Sequence, residues 1–307
     1  MVLHRPGHVL VEPALAELPL DAWESTKDTL QLYMQVVGKI RLALAPPEPQ
    51  WAHVTLYVTS RGLTTGPMPL RNRTLQIDFD FIAHKLILTA SDGGSQSLNL
   101  TPRSVANFYD DVFALLEELK IVIDINPIPQ EVPTPISFEK DTIHASYDRD
   151  FVHRFWQILV FADSALKKHR APFPGRHTPV HFFWGGFDLA YTRYSGRPAT
   201  PPPTAPWLIR TSMDAEEIYA GFWMGDARFP EPAFGAYVYP KPDGLELVKI
   251  RPASAFWNEK IGLFLLRYDD VRKASSPADT VLEFFSSTYA ACASCARWDE
   301  TLRMEGQ

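Results

Sequence analysis

The stretch TLQIDFDFIAHKLILTASDGGSQSLNL, residues 74–100, decides the fold class. Leu75, Ile77, Phe79 and Phe81 alternate with Thr74, Gln76, Asp78 and Asp80. Strand side chains point to opposite faces with period two, so residues 74–81 are expected to form a strand with one apolar and one polar face. Lys85 to Ala90 is a second apolar-rich strand, Ser91-Asp92-Gly93-Gly94 a hairpin turn, and Gln96 to Leu100 the returning strand. Strands joined by such short turns pair antiparallel, with one face covered and one free.

Working outward, His53 to Arg61 reads as a further strand. Val54, Leu56 and Val58 lie on one face, and His53, Thr55, Tyr57, Thr59 and Arg61 on the other. Before it, a long helix is expected from a cap at Asp21 or Ser25 to about Ala45, where Pro46-Pro47 stops it. Leu30, Tyr33, Val37, Ile40 and Leu44 form one stripe at helical spacing, and Leu32, Val36 and Leu42 widen it, so much of this helix is expected to be covered. Asp28, Gln31, Gln35 and Lys39 form its polar stripe. Beyond residue 100, Thr101 or Ser104 opens a helix to about Leu119.

The order then recurs. A helix from Asp148 or Asp150 to about His169 precedes strands at Val180–Trp184, Phe187–Tyr194 (bent at Gly185-Gly186), Glu216–Trp223, Ala233–Tyr239 and Gly262–Tyr268. A last helix runs to about Trp298. The expected fold is α+β, with two tandem helix–four-strand–helix halves, an internal duplication, and mainly antiparallel sheets covered on one face by helices. The expected layout is a tail over 1–20, a first half over 21–124, a proline-rich linker over 125–143, a second half over 144–300 and a tail over 301–307.

Composition narrows the function classes. Hydrophobic residues make up 46% of the 307, enough for a core without staples. The net charge is −6 and no basic tract stands out, so nucleic acid is not expected as a partner. There are two cysteines, no run of about 18 uncharged apolar residues and no leader-like start, so no membrane is expected and the cytoplasm is the expected location. Phosphate-cradling motifs of the G-x-x-x-x-G-K and G-x-G-x-x-G types are missing, and no cofactor is implied.

Several stretches together resemble a known family: Trp23-Glu24-Ser25-Thr26-Lys27-Asp28, Val37 to Pro47, Tyr57 to Thr65, His144-Ala145-Ser146-Tyr147-Asp148, Pro179 to Ala190 and Ala220-Gly221-Phe222-Trp223. They resemble domain-of-unknown-function family 5996, over about Leu18 to Trp298. The resemblance implies a bacterial, soluble protein. It supplies no catalytic roles. Members often carry His where this chain has Gln31.

Chemistry concentrates in residues 181–197. His181 and Asp188, near the Gly185-Gly186 bend, are the candidate base and its orienting partner. Arg193 and Arg197 are forks for a carboxylate or phosphate, and Trp184 is a stacking platform. A second group is the polar row of His53, Tyr57, Thr59 and Arg61 with Asp78 and Asp80, whose plain alternative is cross-strand ion pairing. His144, Ser146 and Asp148 lack a nucleophile elbow, and Asp148 reads better as a helix cap. Cys292 and Cys295 read as small residues on a helix face, and His4-x-x-x-His8 is a weak metal motif.

The expected site is therefore a pocket on a sheet face or between the halves, lined by His53, Tyr57, Arg61, His181, Trp184, Asp188, Arg193 and Trp223. Its arginines point to a small anionic ligand, with acid–base or hydrolytic chemistry through His181 and Asp188. The alternative is a non-enzymatic interaction or self-association module. Oligomeric state is left open.

Overall fold

A computed structural model describes residues 14–302. The tail motif His4-x-x-x-His8 and the last residues of the C-terminal tail lie outside them. The first half opens with helix α1 (Leu20–Leu44) and a tight turn over Pro49–Val54. Strands β1 (Tyr57–Val58), β2 (Gly62–Thr64), β3 (Met68–Leu70), β4 (Arg73–Asp80), β5 (Lys85–Ala90) and β6 (Ser95–Asn99) follow, then helix α2 (Val105–Glu118). The second half contains α3 (Arg149–Arg170), β7 (His181–Phe183), β8 (Asp188–Pro198), α4 (Trp207–Ser212), β9 (Ala215–Trp223) and β10 (Ala233–Tyr239). It closes with β11 (Phe256–Asn258), β12 (Leu263–Arg267), α5 (Tyr268–Arg272) and α6 (Pro277–Cys295). The fold is α+β, and every strand pair is antiparallel.

Each half folds into a six-stranded sheet. In the first, β1-β2-β4-β5-β6 lie side by side and β3 pairs with β4. In the second the order is β11-β12-β10-β9-β8-β7. The alternation of residues 74–81 is realised as expected: Leu75, Ile77 and Phe79 are buried, and Asp78 pairs with Ile87 across the hairpin. The two sheets meet edge to edge at one residue pair, where Leu56 and Phe182 exchange backbone hydrogen bonds of 2.9 and 2.8 Å.

Local chemistry sets the helix starts. The Ser104 hydroxyl accepts from Asn107 N at 3.1 Å, and the Asp148 carboxylate accepts from Asp150 N and Phe151 N at 2.9 and 3.1 Å. Helix α1 begins one residue before Asp21, with Pro19 at its cap and no side-chain cap bond, so neither Asp21 nor Ser25 caps it.

The larger correction is at residues 53–61. Only Tyr57–Val58 is strand, and His53 sits in the preceding turn. Gln50 and Trp51 there are left-handed, with φ of 51° and 60°. That conformation costs non-glycine residues about 1–2 kcal/mol each. Contacts from across the chain hold it: Gln50 Nε2 donates to Asp214 Oδ1 at 2.7 Å and Trp51 Nε1 to Thr211 Oγ1 at 3.0 Å.

One continuous apolar core spans both halves. Helix α3 serves both sheets: Phe155 packs on Phe81 of the first half and on Phe182 and Phe187 of the second. Helix α1 is covered on all sides from Thr29 to Ile40. Gln31 and Gln35 of its polar stripe are therefore buried and must be paired internally, since an unpaired buried polar group is costly. Gln31 Nε2 donates to Gly185 O at 2.6 Å. Gln35 holds Gln130 twice, Nε2 donating to its carbonyl and Oε1 accepting from its N–H, both at 2.8 Å. The segment over 125–143 is thus clasped to the core, with Ile125 and Phe138 buried.

One turn on from Gln35, Gly38 faces the Trp184 ring, and a Cβ at Gly38 would come within 2.5 Å of it. Trp184 Nε1 donates to Val54 O at 2.7 Å, so this ring ties α1, the 49–54 turn and β7 together. Two effects compete in Gly38→Ala. Alanine gains about 1 kcal/mol of helix propensity, and overpacking costs about 1–3 kcal/mol. The ring is held on three sides and cannot yield cheaply, so a net loss of about 1–2 kcal/mol in chemical denaturation is expected; a stabilised variant would contradict the close approach.

Candidate functional site

The second sheet's two faces separate by parity. Leu189, Tyr191, Ile218, Ala220, Phe222, Phe234, Ala236 and Val238 are buried. Phe234 packs on Phe161 of α3 and Phe285 of α6. The other face carries Asp188, Ala190, Thr192 and Tyr194 on β8, Glu217, Tyr219, Gly221 and Trp223 on β9, and Gly235 and Tyr237 on β10. His181 and Phe183 of β7 continue it, with His181 opposite Ala190.

Cross-strand register then builds a floor. Ala190, Gly221 and Gly235 form one row of small residues beside His181. In the next row Thr192, Tyr219 and Tyr237 align, and the two tyrosine rings stack at 4.7 Å. Tyr219 lies flat over Gly221, and its hydroxyl donates to Asp188 Oδ2 at 2.8 Å. A side chain at 221 would occupy the place of that phenol.

Above this floor is a hollow of about 290 Å³. Its walls come from Trp51 and Val54 of the 49–54 turn, Gln130 and Glu131, His181, Phe183, Trp184 and Gly185, and Trp207 and Leu208 of α4. Its floor includes Ala190, Thr192, Tyr194, Glu217, Tyr219 and Tyr237. Trp51 meets Trp207 edge-on at 4.8 Å, closing one side. Residues from both halves enclose the space.

His181 is 3% exposed, and its Nε2 is buried without a partner. Its Nδ1 lies 2.9 Å from Thr55 Oγ1. Thr55 Oγ1 donates to Ala52 O at 3.1 Å. A hydroxyl has one proton to give, so Thr55 accepts from His181 Nδ1–H, and Nε2 is left as a lone-pair acceptor. Burial, with Arg41 and Arg170 adding to it, lowers the ring's pKa to about 4, so it stays neutral near pH 7.

The carboxyls are displaced the other way. Glu217 is 5% exposed, and burial followed by the charge of Asp214 raises its pKa to about 8, against the opposing Tyr237 hydroxyl. Asp188 is pushed up to about 7 by burial, with Tyr219 opposing and Glu131 adding. The buried Tyr194 hydroxyl has no partner either. Glu131 sits at the mouth, its carboxylate against Gly185. None of Glu131, Asp188 and Glu217 has an ion-pair partner among the described residues.

The family model for a family of unknown function, DUF5996, matches residues 15–304. The chain belongs to that family. No curated protein and no solved structure matches it. Nothing is therefore borrowed for the DUF5996 site, which rests on its own geometry.

Of the residues expected at the site, His181 and Trp184 line the hollow, and Asp188 stands beside it behind Tyr219. His181 and Asp188 do not pair: Thr55 holds one and Tyr219 the other. His53 is buried in its turn, where Nδ1 accepts from Glu48 N at 3.1 Å. Tyr57 packs on His181 from outside, at 5.6 Å, under the Arg41 guanidinium. Arg61 pairs with Asp80 at 2.7 Å on the first half, as cross-strand pairing foresaw. Trp223 packs on Phe229.

Arg193 is on the opposite face, 1% exposed, caged by Phe173, Tyr191 and Tyr289 and donating to His169 O. No Arg or Lys lines the hollow. Arg193 does not join His181 as expected, because strand parity carries it to the other face of the sheet. His144 pairs with Asp141 at 2.7 Å and Ser146 with Thr26 at 2.9 Å, so they form no triad with Asp148. Among the described residues no three His, Cys, Asp or Glu side chains gather as a metal-binding group, and no helix is long and apolar enough to cross a membrane.

The sequence reading missed Trp51, Glu131, Trp207, Glu217, Tyr219 and Tyr237. A signal existed for two of them: Glu217 and Tyr219 alternate with Ile218 and Ala220 in an otherwise apolar run.

The raised Glu217 pKa has a stability consequence. Its native proton stabilises the fold fully below the unfolded value near 4.5, and that contribution is lost as pH rises through about 8. The wild type should therefore lose stability between pH 5 and 8.5, and Glu217→Gln should remove about 2–4 kcal/mol of that loss. Urea denaturation at a series of pH values checks this; a loss of the same size in the variant would place its cause elsewhere.

Proposed function

We propose that this DUF5996 protein binds a small organic molecule in the hollow between its halves, and that the molecule donates a hydrogen bond to His181. One feature carries the reading: a neutral imidazole whose free nitrogen is an acceptor, buried and without a partner on the wall of an open space. Leaving such a group unsatisfied costs about 1–3 kcal/mol, a cost that a bound donor removes.

The rest of the lining agrees. A volume of about 290 Å³ is near the lower end for small-molecule sites. Such sites are mostly aromatic with a few convergent polar groups, and here Trp51, Trp184, Trp207 and Phe183 surround His181, Tyr194 and Glu217. The two stacked tyrosines add aromatic surface to the floor.

Binding is favoured over catalysis by His181. A general base works best with a pKa near the operating pH, and this ring at about 4 is far below neutrality. Asp188 does not orient it. The histidine acts as a recognition group.

A thermal-shift screen with a chemically broad small-molecule library, run on wild type and His181→Phe, tests this. Phenylalanine keeps a ring in the wall and removes the acceptor. Compounds that raise the wild-type Tm should bind the variant about tenfold more weakly, the worth of one hydrogen bond. Equal stabilisation of both proteins, or no stabilising compound at all, would defeat the reading.

A further inference from the structure

Resting on that reading, we infer that the hollow is built for an organic cation: a small molecule bearing a protonated amine, amidinium or guanidinium group. The argument begins with what the lining groups lack. His181 Nε2 can only accept, and Glu217 and Glu131 accept once ionised. The buried Tyr194 hydroxyl has both its proton and its lone pairs open. A donating ligand group satisfies His181 Nε2, the two carboxylates once ionised and the Tyr194 lone pair, which describes ammonium and amidinium nitrogen.

Charge points the same way. Elsewhere in this chain two carboxylates withdrawn from water have cations of their own. Arg61 meets Asp80 at 2.7 Å, and Lys167 meets Asp163 at 2.6 Å. Around the hollow the acids instead face one another or neutral groups. Glu217 faces Asp214, Tyr194 and Tyr237; Asp188 faces Glu131 and Tyr219. Arg228 acts on Glu131 only from beyond ion-pair distance. When these acids ionise no ion pair within the chain balances them, and a cationic ligand supplies that charge.

The walls fit as well. Trp51 and Trp207 close one side at 4.8 Å, and Trp184 forms another. Indole faces attract cations better than other aromatic side chains do, most of all where water is excluded. An apolar ligand would use these faces and leave the acceptors unpaired. An anion would meet carboxylates with no guanidinium to offset them.

Three isosteric probes separate the cases: benzamidinium, benzamide and benzoate share one flat shape and carry charges of +1, 0 and −1. Ligand-observed NMR at millimolar concentration should detect benzamidinium binding the wild type at least tenfold more tightly than benzamide, with no binding of benzoate. Glu217→Gln, which keeps the shape and removes the charge, should erase most of that preference while its amide spectrum remains that of a folded protein. His181→Phe should weaken both benzamidinium and benzamide, since both donate.

Equal affinity for benzamide and benzamidinium, weakened alike by His181→Phe, would overturn the cationic class and leave the small-molecule reading standing. Preference for benzoate would overturn it too. Benzamidinium binding that neither substitution changes would place the cation elsewhere on the surface and end the proposal. Failure of all three probes to bind would count against both the proposal and the reading beneath it.

Discussion

The packing of helix α1 through the middle of the molecule is the constraint on which the rest depends. A helix covered on all sides from Thr29 to Ile40 cannot leave polar groups there to water, so Gln31 and Gln35 had to find partners inside. Those partners are Gly185 and Gln130, the backbone of two walls of the hollow. Gly38 admits the Trp184 ring, which in turn holds Val54. One helix therefore fixes the β7–β8 bend, the 125–143 segment and the 49–54 turn relative to one another. The hollow is the space these three leave over the free face of the second sheet.

That face is shaped by side-chain size as much as by chemistry. Ala190, Gly221 and Gly235 keep one row flat, so Tyr219 can lie down and reach Asp188. The tyrosines then cover the sheet and lower the polarity around Glu217 and Asp188, whose carboxyls respond by holding their protons at higher pH. His181 responds to the same burial in the opposite sense and stays neutral. Burial thus holds Glu217 protonated and His181 neutral in the resting state. A bound donor or cation changes the balance.

Much of the scaffold was legible because period two and period 3.6 are local signals. Residues 73–80 form a strand as the alternation over 74–81 required, 233–239 form the strand expected there, and Ser104 and Asp148 cap their helices. The site was less legible, for two different reasons. Residues 53–61 looked like a strand, yet the left-handed pair Gln50–Trp51 before them is held by Thr211 and Asp214, some 160 positions away. No local pattern encodes that. Arg193 is a different case, since its odd position on β8 against even Asp188 already placed it on the covered face. Helix α4, with Trp207 at the rim, falls in a stretch, 207–212, for which no element was expected.

The account stands on the hollow's carboxyl groups being uncompensated until a cation enters. A carboxyl-selective ¹³C NMR titration of Glu217, in the free protein and with saturating benzamidinium, measures this directly. The account predicts a midpoint near 8 without the cation and a clear fall with it. A midpoint in the ordinary glutamate range, unmoved by benzamidinium, would contradict it.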